Sequence, residues 1–293
     1  MKRVPLAPWL RKRLPAAGEV ERVRRTLSRA GLRTVCQSAH CPNIFECFAR
    51  GTAAFLILGP NCTRGCRFCA VPRGVPAPVD GDEPVRVAEA VRRLRLEYAV
   101  VTSVARDDLA DGGAEQFART VEEVRQRAGA RVEVLTPDFA GRRAAVAQVV
   151  AAGPDVYNHN LETVPRLYGT VRPGASYQRS LRLLERVKAL APEMVTKSGL
   201  LVGLGETRAE VRSTLADLRR VGCEVLTLGQ YLAPSTRHLP VARFVPPEEF
   251  EEMAEEARAL GFRAVSAGPF VRSSQGAAEL FAGLPARVAV PGS

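Results

Sequence analysis

The sequence predicts an α/β protein: a partial (β/α)6-type, TIM-like barrel with extensions at both ends. Three observations carry this. Short β-branched apolar runs alternate with amphipathic helical patterns along most of the chain, the signature of a parallel sheet. Polar residues gather where the runs end, at Thr102 and Ser103, Thr136, Asn158 to Asn160, Lys197 and Ser198, and Gln230, as at the C-terminal mouth of a βα barrel. No G-x-G-x-x-G follows the first run, which argues against a dinucleotide fold.

In chain order, Glu19–Leu32 has the spacing of a short amphipathic helix ending near Gly31. Thr52–Gly59 is a buried strand. Strands are then expected at Tyr98–Val104, Arg131–Thr136, Asp155–Asn160, Val195–Gly203, Cys223–Gln230 and Phe262–Gly268. Helices are expected between them at Val85–Leu96, Ala114–Arg127, Arg142–Ala151, Tyr177–Leu190, Arg208–Val221 and Pro247–Leu260. Residues 1–51 form an N-terminal extension, 52–268 the barrel, and 269–293 a C-terminal tail. Pro8 and Trp9 are expected to fasten the N-terminal extension across the barrel.

The 293 residues suffice for one large α/β domain or two modest ones. No apolar run reaches the roughly 18–20 residues of a membrane span. "MKRVPLAPWLRKRLP" has no apolar secretory core, so a cytoplasmic protein without membrane contact is expected. The net charge of +11 raises nucleic-acid binding. Against it, the arginines are spread along the chain and no basic tract has interleaved aromatics, so no nucleic-acid partner is expected. A negatively charged protein partner, steered by the basic surface, accounts for the charge.

Six of the seven cysteines fall in two triplets: Cys36, Cys41 and Cys47, then Cys62, Cys66 and Cys69. Such clustering points to metal binding or catalysis rather than to a disulfide framework. A structural zinc site is closed by four ligands, so a zinc knuckle would need His40 or a distant cysteine as well. Three thiolates instead suit a [4Fe–4S] cluster with one iron left open for a chelating amine and carboxylate. The second triplet follows a strand and so sits at the barrel mouth, where Arg64 and Arg67 are expected to offset the negative charge of a cluster. Cys223, opening an inner strand, is expected to be core.

"CTRGCRFC" after a first barrel strand resembles the radical S-adenosylmethionine (SAM) superfamily, and "CQSAHCPNIFEC" upstream narrows the resemblance to the lipoyl synthases. It extends through "PWLRKRLP", "TSVARDDLADGGA", "YNHNLETVPRLY", "VRPGASY", "TKSGLLVGLGE", "LTLGQYLAPSTRHLPV" and "AGPFVRSS", nearly the whole chain.

The resemblance implies that a cluster on Cys62, Cys66 and Cys69 binds SAM and cleaves it reductively to a 5′-deoxyadenosyl radical. A second [4Fe–4S] cluster, on Cys36, Cys41 and Cys47, would be the sacrificial sulfur source. Its fourth ligand would be a serine of an Arg-Ser-Ser-Tyr stretch, matching Ser274, with Ser273 as the fallback. Gln275 stands where that stretch has tyrosine, which puts the packing of the tail in question.

By the same resemblance, Gly199, Gly203, Gly205 and Glu206 belong to a glycine-containing strand along the adenine, and Asp111, Gly112 and Gly113 meet the cofactor's amino group. Asn160, Glu162, Arg172 and Ser198 are candidates for ribose and carboxylate contacts; the Arg172 guanidinium can bind a carboxylate bidentately. His159 is as readily a satisfied core histidine.

The implied activity is insertion of two sulfurs, at carbons 6 and 8, into a protein-bound octanoyl-lysine chain. The implied partners are octanoylated lipoyl-carrier domains, namely E2 subunits of 2-oxoacid dehydrogenases or the H protein of glycine cleavage, and a reductant such as ferredoxin or flavodoxin. Two other functions compete. A biotin-synthase-like sulfur inserter or a methylthiotransferase would lack this upstream spacing and serine tail. A zinc-stabilised nucleic-acid-binding module would not need the βα units.

Overall fold

The computed structural model describes residues 7–11, 17–50 and 52–284. Residues 1–6 and 12–16, on which the targeting expectation partly rests, Gly51 at the expected boundary, and 285–293 of the tail lie outside the described residues.

Eight strands form one sheet in chain order: β1 (Arg33–Thr34), β2 (Ala54–Ile57), β3 (Tyr98–Ser103), β4 (Arg131–Leu135), β5 (Val156–Asn158), β6 (Val195–Val202), β7 (Val225–Gln230) and β8 (Ala264–Gly268). β2 to β8 are parallel, in registers such as Phe55 opposite Val101 and Leu228 opposite Ala267. β1 pairs antiparallel with β2, an edge strand too short for a periodic signal to reveal. The outer strands β1 and β8 do not pair with each other among the described residues, so the barrel is partial.

The helices are α1 (Ala17–Arg29), α2 (Val35–Ser38), α3 (Ile44–Ala49), α4 (Glu83–Leu94), α5 (Ala114–Ala128), α6 (Arg143–Ala151), α7 (Tyr168–Val171), α8 (Tyr177–Leu190), α9 (Arg208–Arg220), α10 (Pro247–Ala259) and α11 (Ala277–Ala282). The crossover helices begin where capping chemistry permits. Pro84 sits in the first turn of α4, where its missing N–H costs nothing. Thr207 and Glu210 form a reciprocal capping box at α9. α2 and α3 were not expected; both are too short to show a 3.6-residue period.

The core runs from the extension into the barrel without a break. Val20, Val23 and Leu27 of α1 and Phe48 of α3 share one buried cluster with Phe55 and Ile57 of β2. Phe48 has no exposed surface, and truncating such a ring costs about 3–5 kcal/mol. In the first described segment, Leu10 is the buried anchor and Trp9 is 38% exposed, so the expected role of Trp9 passes to its neighbour.

At the opposite end, α11 plugs the barrel floor. Phe281 lies 5.8 Å from the Tyr98 ring with the Arg131 guanidinium over it, beside buried Val156, Val195 and Val225. As far as Leu284, the last described residue, the tail therefore runs from the end of β8 to beneath the strands.

Candidate active site: two cysteine triads on one cavity

β2 is shorter than expected because Leu58 takes a left-handed φ of 67° and Gly59 one of 86°, which turns the chain out of the strand into the second triad. That loop is bound to its neighbours throughout. Cys62 N–H donates to Pro72 O at 2.8 Å, Thr63 N–H to Ala105 O at 3.0 Å and Arg67 N–H to Val171 O at 2.9 Å. Leu239 N–H donates to Arg67 O, and His238 Nε2 lies 3.2 Å from Cys69 O. The backbone N–H groups of Arg64 and Ala105 both point at Cys62 Sγ, at 3.4 Å.

Arg64 does not offset a cluster as expected. Its guanidinium pairs with Asp107 at 2.7 Å and Asp138 at 2.6 Å, and its side chain is only 8% exposed. It ties the loop to the ends of β3 and β4. Arg67 is exposed. The cation beside the thiols is Arg172, delivered by the end of α7. Burial pushes the Cys66 thiol up, and Arg172 opposes that. Burial pushes Cys69 up to about 12.

Arg172 Nη1 donates to Asn160 O, Leu161 O and Tyr168 Oη, and its buried Nε has no hydrogen-bond partner among the described residues. Glu162 sits across from it at a left-handed φ of 67°, strain that an acidic residue keeps only where the surroundings enforce it. Its backbone pairs with Gly199 and Leu201. Burial raises the Glu162 carboxyl and Arg172 lowers it.

The first triad is built differently. Thr34 caps α2, its hydroxyl accepting from Gln37 N–H, which sets Cys36 against β1. Cys41 N–H donates to Cys36 O at 3.0 Å, and Thr52 Oγ1 donates to Cys47 O at 2.8 Å. Burial pushes Cys36 up to about 12 and Cys47 to about 11. Thiols buried this way stay protonated until a metal displaces the proton.

The tail completes this side. Val271 O would stand 2.1 Å from any Cβ at Gly229, so only glycine there admits the tail against β7. Asn43 Nδ2 donates to Gln275 Oε1 at 2.8 Å and to Phe270 O at 2.6 Å, so the glutamine fastens the tail to the cysteine segment.

Cys36 and Cys41 of one triad, Cys62 and Cys69 of the other, and Ser274 line one cavity of about 470 Å³. A smaller cavity of about 60 Å³ behind it is lined by Cys36, Cys47 and Ser274. Of the other residues singled out in the sequence, Asn160, Glu162, Arg172 and Gly199 line the large cavity. A Cβ at Gly199 would stand 2.6 Å from Thr227 Oγ1, so the strand stays bare there.

Others lie elsewhere. Asp111 caps the start of α5 through the N–H groups of Gly113 and Glu115; Gly112 fits against Phe139 and Gly113 against Leu58. The Glu206 carboxylate accepts from the N–H groups of Gly203 and Leu204, holding the turn after β6, and Gly203 packs on Gln230. Gly205 adopts φ 107° in that same turn. Ser198 is fully buried and accepts from Leu161 N–H. None of these seven residues lines the cavity; they shape the strand and turns beside it.

His159 is a core residue at the cavity wall. Nδ1 donates to Thr136 O, Nε2 accepts from Ser180, and burial lowers its pKa to about 4. Cys223 is buried, as expected. Thr227, Gly229, Tyr231 and Arg272 also line the cavity; they lie in the "LTLGQYLAPSTRHLPV" and "AGPFVRSS" stretches that carry the resemblance, without a signal that marks them as site residues.

Among the described residues, no three His, Cys, Asp or Glu side chains converge as one metal ion requires. A cluster needs only one thiolate per iron. The donors present suit such clusters, and the Arg172 Nε, unpartnered among the described residues, and the bare strand at Gly199 suit a flat-ringed cofactor that bears a carboxylate.

An open parallel barrel with a three-cysteine loop after its first parallel strand defines a class of protein. The model of the radical SAM superfamily matches residues 56–218, and the chain belongs to that superfamily. Solved structures share the fold at low identity. The chain aligns with methylornithine synthase at TM-score 0.54 and 16% identity, over 84% of this chain and 70% of that one. It aligns with Streptococcus suis SuiB bound to S-adenosylmethionine at TM-score 0.56 and 8% identity, over 81% and 51%.

The curated relatives narrow the class. Lipoyl synthase of Desulfotalea psychrophila is 54% identical over 95% of this chain and 94% of its own length. Lipoyl synthase 2 of Thermosynechococcus vestitus is 55% identical over 94% and 98%. Lipoyl synthase of Methylococcus capsulatus is 57% identical over 91% and 83%. The chain belongs to the lipoyl synthase family, sulfur-inserting radical SAM enzymes that use S-adenosylmethionine and [4Fe–4S] clusters. No described helix is long and apolar enough to cross a membrane.

Proposed function

We propose that this chain inserts two sulfur atoms, at carbons 6 and 8, into octanoyl-lysine on a lipoyl-carrier domain. The observation that carries the reading is the shared cavity, which two cysteines from each triad and Ser274 all reach. When bound, the two clusters and SAM would supply a carbon-centred radical on one side of that cavity and sulfide on the other.

The residues divide accordingly. Cys62, Cys66 and Cys69 hold the cofactor-binding cluster on a loop that Arg64, Asp107 and Asp138 keep in place. Arg172 offers its free Nε to the cofactor carboxylate, while Asn160 and Glu162 form the polar wall for amine or ribose. Gly199 leaves room for the adenine. No residue needs to act as a base, because hydrogens on unactivated carbons are removed by a radical rather than by proton transfer.

Cys36, Cys41 and Cys47 hold the sulfur-donating cluster, with Ser274 as fourth ligand. Ser274 has no hydrogen bond within the described residues, whereas Ser273 already makes two. That favours Ser274 over its neighbour. We further propose that 1–51, 52–268 and 269–293 act as the sulfur-donor segment, the radical-generating barrel and the ligand-bearing tail. The carriers are the dehydrogenase E2 and glycine cleavage H domains, and the reductant is a ferredoxin or flavodoxin.

The test is an anaerobic incubation of reconstituted protein with an octanoylated carrier peptide, SAM and a reductant. The expected product carries the mass gain of two sulfurs, from protein holding roughly eight irons per chain. Cleavage of SAM with no sulfur transferred to the peptide would refute the reading.

A further inference from the structure

We infer that Ser273 and Gln275 are positioning residues that bracket Ser274 and aim its hydroxyl into the cavity; the inference rests on Ser274 being a cluster ligand. On one side, Ser273 Oγ accepts from Asn158 Nδ2 at 2.7 Å and donates to Asn160 Oδ1 at 3.0 Å. On the other, Gln275 Oε1 accepts from Asn43 Nδ2 at 2.8 Å. Gln275 N–H also donates to Arg272 O at 3.0 Å, closing a turn with Ser273 and Ser274 at its two central positions. Consecutive Cα atoms are about 3.8 Å apart, so fixing both neighbours leaves Ser274 little beyond its own side-chain rotation.

The direction of these bonds is set from beneath. Glu133 and Lys197 form an ion pair inside the barrel, 1% and 2% exposed, with Lys197 Nζ at 2.9 and 3.1 Å from the two carboxylate oxygens. An ionised carboxylate only accepts, so Asn158 must turn its amide Nδ2 toward Glu133 Oε1, at 2.8 Å. The same amide then donates to Ser273, whose own hydrogen is left for Asn160. Asn160 in turn donates to Glu162 on the cofactor wall at 3.1 Å. Both capacities of the Ser273 hydroxyl engaged here are thus specified by the barrel, and Gln275 is specified by the cysteine segment. Ser274 alone is left for a ligand's role.

Two measurements test this. The first is amide hydrogen exchange of residues 271–276 in the protein before iron is added. Ser273→Ala and Gln275→Leu should each speed exchange about tenfold, because a local opening loses an anchoring hydrogen bond. Ser273→Thr and Gln275→Glu, which keep the bonding atoms, should restore protection, and Ser274→Ala should leave it unchanged. Unchanged exchange in Ser273→Ala and Gln275→Leu would overturn the bracket.

The second uses Cys62, Cys66 and Cys69 all changed to Ala, so that only the first triad can be loaded. In that background Ser273→Ala, Gln275→Leu and Ser274→Ala should each retain less iron and give a three-iron EPR signal on mild oxidation. If only Ser274→Ala does so, the positioning role is refuted while the ligand stands. If Ser274→Ala matches its parent, the ligand reading itself has failed.

Discussion

The two cysteine triads carry the same donors on different scaffolds. The loop of Cys62, Cys66 and Cys69 is bound to several parts of the barrel by backbone hydrogen bonds and by the buried Arg64 pairs. The triad of Cys36, Cys41 and Cys47 sits on two short helices and borrows a neighbour from the far end of the sequence. On the proposed function, the site used repeatedly is the one built into the sheet, and the site that gives up its contents is the one assembled at its edge.

The sharpest way to break this comparison is to remove one triad. With Cys62, Cys66 and Cys69 changed to Ala, formation of 5′-deoxyadenosine should cease entirely while about four irons remain bound. Continued cleavage would mean that the two scaffolds have been assigned the wrong way round.

Next in size is Arg64→Ala. It leaves Asp138, whose side chain has no exposed surface, without one of its two cations. Breaking such a buried pair costs about 3–5 kcal/mol, visible in denaturant unfolding. Arg64 and Arg179 hold the Asp138 carboxyl well below its ordinary range despite burial. Its contribution is therefore complete above about pH 5 and is lost only as pH falls through the folded value. The gap between wild type and Arg64→Ala should be flat from about pH 6 to 8 and close in strong acid. A comparable loss from removing a polar anchor of the first triad, as in Thr34→Ala, would erase the contrast between the scaffolds.

Ser274 probes the other side. Oxygen is a harder donor than sulfur and holds iron less well in such a site. Ser274→Cys should assemble the cluster and permit cofactor cleavage while cutting lipoyl product per chain about tenfold, read beside 5′-deoxyadenosine per chain. Full product yield would remove the argument for a deliberately labile ligand.

The smallest effect is electrostatic. With a net charge of +11, the protein should meet an acidic carrier several-fold more slowly as salt rises to physiological strength, because exposed charges are screened beyond about 8–10 Å. Stopped-flow association rates that ignore ionic strength would exclude steering.

The alternation of strands and helices was legible because each buried strand is apolar and each crossover helix has one apolar face. The cysteine spacing was legible because thiolate ligation is local. What the sequence withheld is non-local or conformational. Nothing around Arg64 announces that Asp138 will claim it, and nothing near Gln275 announces Asn43. Left-handed Leu58 and Glu162 are residues that propensity would leave extended. Asp111, Gly112 and Gly113 have the composition of a ligand loop and the geometry of a helix cap, and composition alone does not separate the two.

The unpaired edges of the sheet bear on upkeep. The first triad follows β1, the tail follows β8, and among the described residues these two strands do not pair. Asn43 is one bridge between them, its amide reaching both the Gln275 side chain and Phe270 O. Parting that seam breaks no strand ladder. A catalyst that uses up a component at each turnover could therefore be emptied and restocked there with its radical-generating half intact, as a machine is serviced through a panel rather than dismantled.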